Sequence, residues 1–302
     1  MPDHLPPAPL CRSLLFVPGN RADMLDKALG MRPDVFVPDM EDSVPASEKG
    51  TARKCVSDHL SGLAGTGRPV LPRVNALGSA FIDDDLVAVV GPHVYGVSVG
   101  KVGSVAELAA LDAKLSRLEA GAGLEPGYIR VVAWLETAAG IVGAADICRS
   151  SARLAAVAFG AEDLTNDMEM PRHVDGGENP ALAFARSSIT LAARAADIPA
   201  LDTPFFGFRD PDGLERDCAL ARSAGFAGKF AIHPDQIDVI NRAFSPSPQE
   251  VERALREVEA FEAAEREGRG STSLDGQVID VPVVERARKL LRRHRAVRSE
   301  GR

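Results

Sequence analysis

The sequence predicts an α/β fold, a closed (β/α)8 TIM barrel with a C-terminal helical extension. Short apolar runs alternate with amphipathic segments along most of the 302 residues. The runs lack a clean apolar/polar alternation, which indicates parallel strands covered on both faces. Eight such units fit a closed barrel better than an open doubly wound sheet, because no Gly-x-Gly-x-x-Gly pattern follows the first run.

Each predicted strand ends at a turn signal or at a polar cluster. In chain order the strands are "RSLLFVPG" (12–19), "DVFVPDMED" (34–42), "RPVLPRVN" (68–75), "VYGVSVGKV" (94–102), "IRVVAWLET" (129–137), "LAAVAFG" (154–160), "IPALDTPF" (198–205) and "FAGKFAIHP" (226–234). Helices are predicted between them, among others over 22–31, 47–60, 104–119 and 211–224. The last three of these begin at Ser or Pro, which are favoured at helix starts.

After the eighth strand the pattern changes, so we predict a catalytic barrel over 1–243 and a helical extension over 244–302. A helix there places Val251, Leu255, Val258 and Phe261 on one apolar stripe. A short hairpin or extended stretch and a terminal helix follow. This extension is more than a barrel needs to close.

Composition and charge exclude several classes of function. The net charge of −8 gives no electrostatic basis for binding nucleic acid. The four cysteines form no Cys-x-x-Cys pair, which is typical of neither a zinc site nor a disulfide scaffold and suits a reducing cytosol. There is no secretory signal and no run approaching the ~20 apolar residues of a membrane span. We therefore expect a cytoplasmic protein without membrane contacts.

Polar side chains follow nearly every predicted strand. Because the carboxyl ends of barrel strands meet at one rim, these side chains are expected to lie together. Burying so many charges without a cation or mutual pairing is costly, which makes the cluster a functional signal. Its members are Asp39, Glu41, Asp42, Arg73, Asn75, Lys101, Glu136, Glu162, Asp163 and Asp202.

Glu136 and Asp163 together predict a site for a divalent cation. Two carboxylates without histidine or thiolate neighbours favour Mg²⁺, with Mn²⁺ as an alternative, over zinc. The competing interpretation is that each acid caps a helix or pairs with Arg73 or Lys101.

Two other residues admit two interpretations each. Lys101 is a candidate Schiff-base lysine of a metal-free aldolase. The acids around it favour a lysine that stays charged instead. His233 is a candidate acid or base, although the His-Pro pair favours a turn where the eighth strand ends.

Nine segments resemble the citrate-lyase β-subunit-like and malyl-CoA-lyase group of the HpcH/HpaI aldolase superfamily. They occur in order and with similar spacing between about residues 12 and 288. The segments are "LLFVPGNR", "PDMEDSV", "PRVN", "GKVGS", "LETAAGI", "FGAEDL", "ALDTPFFGFRDPDGL", "GFAGKFAIHP" and "DGQVIDVPVVERA".

The resemblance implies a Mg²⁺-dependent carbon–carbon lyase that cleaves a 3-hydroxyacyl-CoA, such as malyl-CoA or citramalyl-CoA, to acetyl-CoA and glyoxylate or pyruvate. By analogy Glu136 and Asp163 bind the metal, and Arg73 binds substrate and stabilises the developing enolate. Asp280 resembles the general acid/base that the C-terminal segment brings over a neighbouring subunit's barrel. This implies a homo-oligomer, a trimer or a dimer of trimers.

Further residues are implied at the place where coenzyme A enters. They are Phe16, Lys27 and the turn from Asp39 to Val44, which includes Asp42. Lys101, with Arg73 and Glu136, is also expected to bind the substrate or coenzyme A.

The substrate stays open at this point. Gly103, Met40 and Ser43 depart from the residues frequent in the family, and the last two lie beside the expected thioester. A citryl group on a carrier protein and thioesterase activity on malyl-CoA fit the same residues, but the C-terminal segment favours free CoA thioesters. A CoA-independent metal aldolase and a non-catalytic barrel scaffold are the hypotheses from other classes.

Overall fold

A computed structural model describes residues 10–174 and 177–300. In this part of the chain, eight parallel strands form a closed barrel in the order β1-β10-β9-β6-β5-β4-β3-β2, and β7 pairs with β8. The predicted (β/α)8 barrel is therefore confirmed. The strands are β1 (Ser13–Pro18), β2 (Val35–Asp39), β3 (Arg73–Val74), β4 (Gly96–Val99), β5 (Arg130–Leu135), β6 (Leu154–Phe159), β7 (His173–Val174), β8 (Gly177–Glu178), β9 (Ala200–Asp202) and β10 (Gly228–Ala231).

Helices follow the barrel strands as the alternating pattern predicts. They are α1 (Ala22–Ala28), a 3-10 turn (Ala46–Glu48), α2 (Lys49–Ala64), α3 (Ile82–Val89), α4 (Val105–Gly121), α5 (Ala138–Val142), α6 (Ala144–Arg149), α7 (Ala161–Asp167), α8 (Ala181–Ala195), α9 (Pro211–Ala224) and α10 (Gln236–Ala243). Ser104 caps α4 by accepting a hydrogen bond from the Glu107 amide. Pro211 is in the first turn of α9, and Gly225 ends it with φ +99°, a conformation that glycine adopts without strain.

The third strand is much shorter than predicted. Only Arg73–Val74 form a regular strand, although 68–75 was expected. Pro69 and Pro72 have no amide hydrogen to donate, so the segment before Arg73 pairs with its neighbours through its carbonyls and through Leu71. The stretch is extended, but its ladder is interrupted.

Apolar side chains fill the barrel interior. The Trp134 ring packs against Phe230 and Phe16, and its indole nitrogen donates to Ser98 Oγ at 2.7 Å. Because this one polar atom has a partner, the ring can be buried without an unsatisfied donor. The buried interior cluster comprises Leu14, Val35, Val37, Leu71, Val132, Trp134, Ala156, Ala158, Leu201 and Phe230.

The chain divides into two compact units between Ile240 and Asn241. The second unit contains α11 (Pro248–Arg266), the antiparallel pair β11 (Thr272–Leu274) and β12 (Gln277–Ile279), and α12 (Val281–Glu300). A capping box between Ser247 and Glu250 fixes the start of α11. The predicted hairpin and terminal helix are thus confirmed.

One position of the predicted apolar stripe on α11 is wrong. Leu255 is 53% exposed, whereas Ala254 and Phe261 are buried. The buried positions of α11 are spaced three and four residues apart, so the buried face of the helix is narrower than the predicted stripe.

No helix in the described residues has the length and apolarity to span a membrane.

A network of buried ion pairs lies outside the interior core. Lys229 Nζ is 2.6 Å from Asp202 Oδ2 and also contacts Asp217. Arg186 Nε donates to Asp202 Oδ1 at 3.1 Å. The side chains of Lys229, Asp202 and Arg186 are almost fully buried. Each charge therefore depends on its neighbours for stabilisation.

We expect Lys229→Met to lower the free energy of unfolding of the barrel by about 3–5 kcal/mol, because Asp202 and Asp217 lose a shared buried cation. Urea unfolding followed by the fluorescence of Trp134, the chain's single tryptophan, measures this loss. Lys54→Met is the matched control, since Lys54 pairs with Asp58 on an exposed surface. Equal behaviour of the two variants would contradict the structural role of Lys229.

Candidate active site

Glu136 directly follows β5 and is 3% exposed. Its Oε1 accepts a hydrogen bond from the Lys101 backbone amide at 2.7 Å. Glycines at two neighbouring strand ends make room for it, because a Cβ on Gly160 would lie 2.1 Å from Oε2 and one on Gly100 would lie 2.9 Å from Oε1. Backbone therefore surrounds this carboxylate more closely than side chains would allow.

Asp163 lies in the first turn of α7, with its side chain 34% exposed. Its Oδ1 is 3.3 Å from Lys101 Nζ, which is also 3.3 Å from Glu41 Oε1. The predicted ion pair with Lys101 is observed for Asp163, whereas Glu136 contacts the Lys101 backbone amide rather than its ammonium. The helix-cap interpretation is wrong, because Thr137 caps α5 and Gly160 occupies the cap position of α7.

Negative charge is in excess around Lys101. The Lys101 ammonium lies near Glu41, Asp42 and Asp163, and the Lys101 backbone amide binds Glu136. The second cation at this rim, Arg73, pairs with Asp39 and also contacts Asp42 and Glu41. Burial, with the Asp163 and Glu41 charges added, raises the pKa of Glu136 to about 8, which Lys101 only partly offsets. Burial also raises the pKa of Glu41, whose Oε2 accepts no hydrogen bond within the described residues.

This charge excess fits a divalent cation bound by Glu136 and Asp163. A cation there would relieve the repulsion between buried carboxylates that raises the Glu136 pKa. Across the residues described, no group of three or more His, Cys, Asp or Glu side chains forms a ready metal site. Two protein carboxylates with water and substrate oxygens are, however, the usual ligand set of Mg²⁺.

Burial lowers the pKa of Lys101, but Glu41 and Glu136 outweigh it and raise the pKa above its ordinary value. A Schiff-base lysine must lose its proton to attack a carbonyl. The electrostatics therefore disfavour the metal-free aldolase interpretation.

Arg73 is held at the same rim by a two-point contact with Asp39. Its Nε and Nη2 each donate to an Asp39 oxygen at 2.7 Å, and Nη1 donates to Asp42 Oδ2 at 3.0 Å. The guanidinium lies 4.5 Å from the centre of the Phe16 ring. Asp39 thus binds one edge of the guanidinium and the Phe16 ring packs against its face. The remaining nitrogen, Nη1, points towards the half-exposed Asp42.

The turn after β2 is fixed by two buried side chains. Lys49 Nζ donates to the Met40 and Glu41 carbonyls at 2.8 and 2.7 Å, and Asn75 Nδ2 donates to the Met40 carbonyl at 2.9 Å. The Glu41 amide donates to Asp39 Oδ1 at 2.9 Å. The carboxylates around Arg73 and Lys101 therefore project from a rigid turn.

The other predicted residues lie at different places. Phe16 is inside the barrel mouth beneath Arg73, whereas Lys27 is on α1 with its side chain 70% exposed. Asp280 belongs to the second unit, where its Oδ1 accepts a hydrogen bond from the Val283 amide at the start of α12.

His233 follows β10 and forms the turn expected of His-Pro, since the Gln236 amide donates to its carbonyl. Its ring stacks on Phe208 at 5.4 Å and lines a cavity of about 510 Å³ between the loops after β9 and β10. Neither Glu136 nor Arg73 lines this cavity. The charged groups around Lys101 and Arg73 therefore lie outside the lining of this cavity.

Glu41 belongs to the predicted strand-end cluster and to the 39–44 turn, but no individual role was predicted for it. The structure places it between Arg73 and Lys101. The signal was the three acids within "DMED", where the sequence does not show which of them turns inward. The need for Gly100 and Gly160 was also missed, because it depends on the register of neighbouring strands.

The chain matches the HpcH/HpaI aldolase/citrate lyase family over residues 12–234. It is 39% identical to the citrate lyase subunit beta of Escherichia coli (strain K12), covering 93% of this chain and 92% of that protein. It is 33% identical to the (3S)-malyl-CoA thioesterase of Cereibacter sphaeroides (strain ATCC 17025), covering 96% of each.

The fold is shared with a solved relative. CitE from Mycobacterium tuberculosis, in a crystal structure with magnesium, acetoacetate and coenzyme A, is 31% identical and superposes with a TM-score of 0.76, covering 94% of this chain and 97% of that one. The citrate lyase beta subunit of that organism has also been crystallised with oxaloacetate and magnesium. On sequence, fold and site geometry together, this chain belongs to the HpcH/HpaI aldolase/citrate lyase family.

Proposed function

We propose that this protein is a Mg²⁺-dependent lyase that cleaves the carbon–carbon bond of a 3-hydroxyacyl-CoA, releasing acetyl-CoA and a 2-oxo acid. Malyl-CoA would give glyoxylate, and citramalyl-CoA would give pyruvate. The observation that carries the proposal is the placement of Glu136 and Asp163 beside the oriented Arg73 at one rim. Its acidic chain and CoA substrate suit a cytoplasmic enzyme.

Glu136 and Asp163 would hold the metal, with Mn²⁺ as an alternative to Mg²⁺. When bound, the cation polarises the oxygens of the 2-oxo-acid half and lowers the cost of the negative charge that forms there. Lys101, held between Asp163 and Glu41, limits the repulsion among the carboxylates. Gly100 and Gly160 leave room for the Glu136 carboxylate, because a Cβ at either position would lie within 2.9 Å of one of its oxygens.

Arg73 would stabilise the thioester half. Asp39 occupies Nε and Nη2, so the remaining donor Nη1 meets only the half-exposed Asp42 and the more distant Glu41. A substrate oxygen can replace Asp42 without disturbing the Asp39 contact. Negative charge on the enolate oxygen strengthens its hydrogen bond from Arg73 as the carbon–carbon bond breaks.

Asp280, in its protonated form, would then give its proton to the enolate carbon and take one up from solvent, while the proton of the substrate hydroxyl leaves to solvent as the 2-oxo group forms. We assign it this role in a neighbouring subunit's site within a trimer or a dimer of trimers, on the analogy with the family. In its own chain it caps α12, so one carboxylate oxygen already has a fixed direction. The exposed Lys27 ammonium would attract the phosphates of coenzyme A, and Phe16 would support the site from below.

A citryl group bound to a carrier protein is the second candidate substrate. It is favoured by the identity to citrate lyase beta subunits, which is 39% against 33% for the malyl-CoA thioesterases. Those subunits align over 93–97% of this chain. The presence of the C-terminal segment therefore does not distinguish an enzyme for free CoA thioesters from one for carrier-bound thioesters, and it no longer favours the former.

The test is incubation with malyl-CoA and with citramalyl-CoA, with Mg²⁺ or with a chelator. We expect Mg²⁺-dependent release of glyoxylate or pyruvate, trapped as a hydrazone, without free thiol. Asp163→Asn should lower this rate by at least about a hundredfold, because one metal ligand loses its charge. Thiol released in step would instead show thioesterase activity, and absence of product from both thioesters would favour the carrier-bound substrate.

We expect Gly160→Ala to weaken Mg²⁺ binding by about tenfold or more, because the added Cβ would displace the Glu136 carboxylate. Isothermal titration calorimetry measures the affinity. Gly50→Ala is the control, since a Cβ at Gly50 meets no atom within 4 Å. An unchanged affinity in Gly160→Ala would show that Glu136 is not held as proposed.

Mixing two inactive variants tests whether Asp280 acts on another subunit. Asp280→Asn and Asp163→Asn should each be inactive alone. After unfolding and refolding together, mixed oligomers should regain part of the lyase activity, since some sites combine an intact Asp163 with an intact Asp280 from a neighbour. Failure to regain activity in demonstrably mixed oligomers would place Asp280 in its own chain's site or outside the mechanism.

A further inference from the structure

A chain of ion pairs runs from the barrel wall towards the helix that carries Asp163. Its inner end is the buried group of Lys229, Asp202 and Arg186. The Arg186 guanidinium also lies 5.4 Å from the centre of the Phe159 ring, at the end of β6. Movement of these three side chains would expose or separate buried charges, so we expect their positions to be rigid.

The outer end reaches α7 through two further residues. Glu178 accepts a hydrogen bond from Arg186 with one oxygen and from Arg172 with the other. Arg172 Nε donates to Glu162 Oε1 at 3.1 Å. Glu162 directly precedes Asp163 in the first turn of α7. The turn that presents Asp163 is thus tied to the barrel wall by consecutive ion pairs.

Backbone hydrogen bonds also fix the position of Arg172. The Asn179 amide donates to the Arg172 carbonyl at 3.0 Å, and Asn179 Nδ2 donates to the Pro171 carbonyl at 2.9 Å. The Met170 amide donates to the Thr165 carbonyl on α7 at 2.9 Å. Arg172 is therefore held between α7 and Glu178 by backbone as well as by charge.

Glu178 links the two ends of the chain of ion pairs, because it contacts both Arg172 and Arg186. Arg186 and Lys229 also pair with Asp202 and Asp217, whereas Arg172 also pairs with Glu162 on α7. Without Glu178, the buried cations keep Asp202 and Asp217, but the connection to α7 is lost. Arg172 is equally specific, because its planar fork reaches two acids at once, which a lysine cannot do in the same geometry.

We propose that Glu178 and Arg172 are positioning residues that brace α7 against the barrel wall and fix Asp163 at a separation from Glu136 that one divalent cation can bridge. Within the described residues, neither side chain hydrogen-bonds to the Asp163 or Glu136 carboxylate, so both act through α7. The inference rests on the proposed function of that pair as the metal site.

The experiment compares Glu178→Gln and Arg172→Gln in the full-length protein. Mn²⁺ affinity is measured from the electron paramagnetic resonance signal of the free ion, and hydrogen exchange of the α7 amides is measured without metal. We expect both variants to bind Mn²⁺ about tenfold more weakly and to exchange faster over 161–167. Lyase activity should fall at low Mg²⁺ and recover towards the wild-type rate at saturating Mg²⁺.

The two variants change the net charge in opposite directions, which separates bracing from long-range electrostatics. If only charge mattered, loss of Glu178 would weaken Mn²⁺ binding and loss of Arg172 would strengthen it. That outcome would overturn the proposal. Glu169→Gln, which removes a negative charge from the same segment, is the control and should leave α7 exchange unchanged. The double variant should be little worse than either single one, because each breaks the same link.

Failure of the proposed function is recognised separately. A wild-type protein that binds no Mn²⁺ and cleaves no thioester overturns that function, while the exchange comparison in metal-free protein still decides whether the brace holds α7. If Glu178→Gln does not fold, Arg172→Gln carries the test, because Glu178 then keeps Arg186 as its partner. Unchanged α7 exchange in Arg172→Gln would overturn the brace.

Discussion

The site depends on one electrostatic constraint, the convergence of four carboxylates around Lys101, three near its ammonium group and Glu136 at its backbone amide. Such an arrangement is unfavourable unless the surrounding fold holds it or a further cation enters. Here the fold holds it with neighbouring strand ends, two close-packed glycines and a turn fixed by Lys49. The same charge excess would favour the binding of a divalent cation.

A second charge system at the same rim is balanced rather than in excess. Arg73 and Asp39 neutralise each other through two hydrogen bonds, and their strands are paired in register at these two residues. The rim thus offers two adjacent environments, one with an excess of carboxylates and one with an oriented guanidinium. Under the proposed function, the first would face the half of the substrate that becomes the 2-oxo acid, and the second would face the thioester half.

The fold was predictable because its signals are local. Apolar runs, turn residues and helix starts such as Ser104 and Pro211 act within a few residues, and the barrel follows from their order. Glu136 and Asp163 were predictable because strand ends of a parallel barrel meet at one rim. Glu41 was not assigned, because sequence does not decide which acid of "DMED" turns inward. The role of Gly160 depends on the pairing of Leu135 with Phe159 across two strands. The ion-pair brace joins residues up to 67 positions apart, from Glu162 to Lys229, and no local pattern encodes it.

Lys101 combines an unfavourable backbone conformation with a central position among the carboxylates of the site. Its backbone has φ 56°, a left-handed conformation that costs a residue with a side chain about 1–2 kcal/mol. The same conformation aims the amide at Glu136 and the side chain between Glu41 and Asp163. A glycine at this position would relax the backbone and leave the carboxylates without their ammonium. The strained backbone and the charge pairing at position 101 are therefore inseparable, because a change that relieves the first also removes the second.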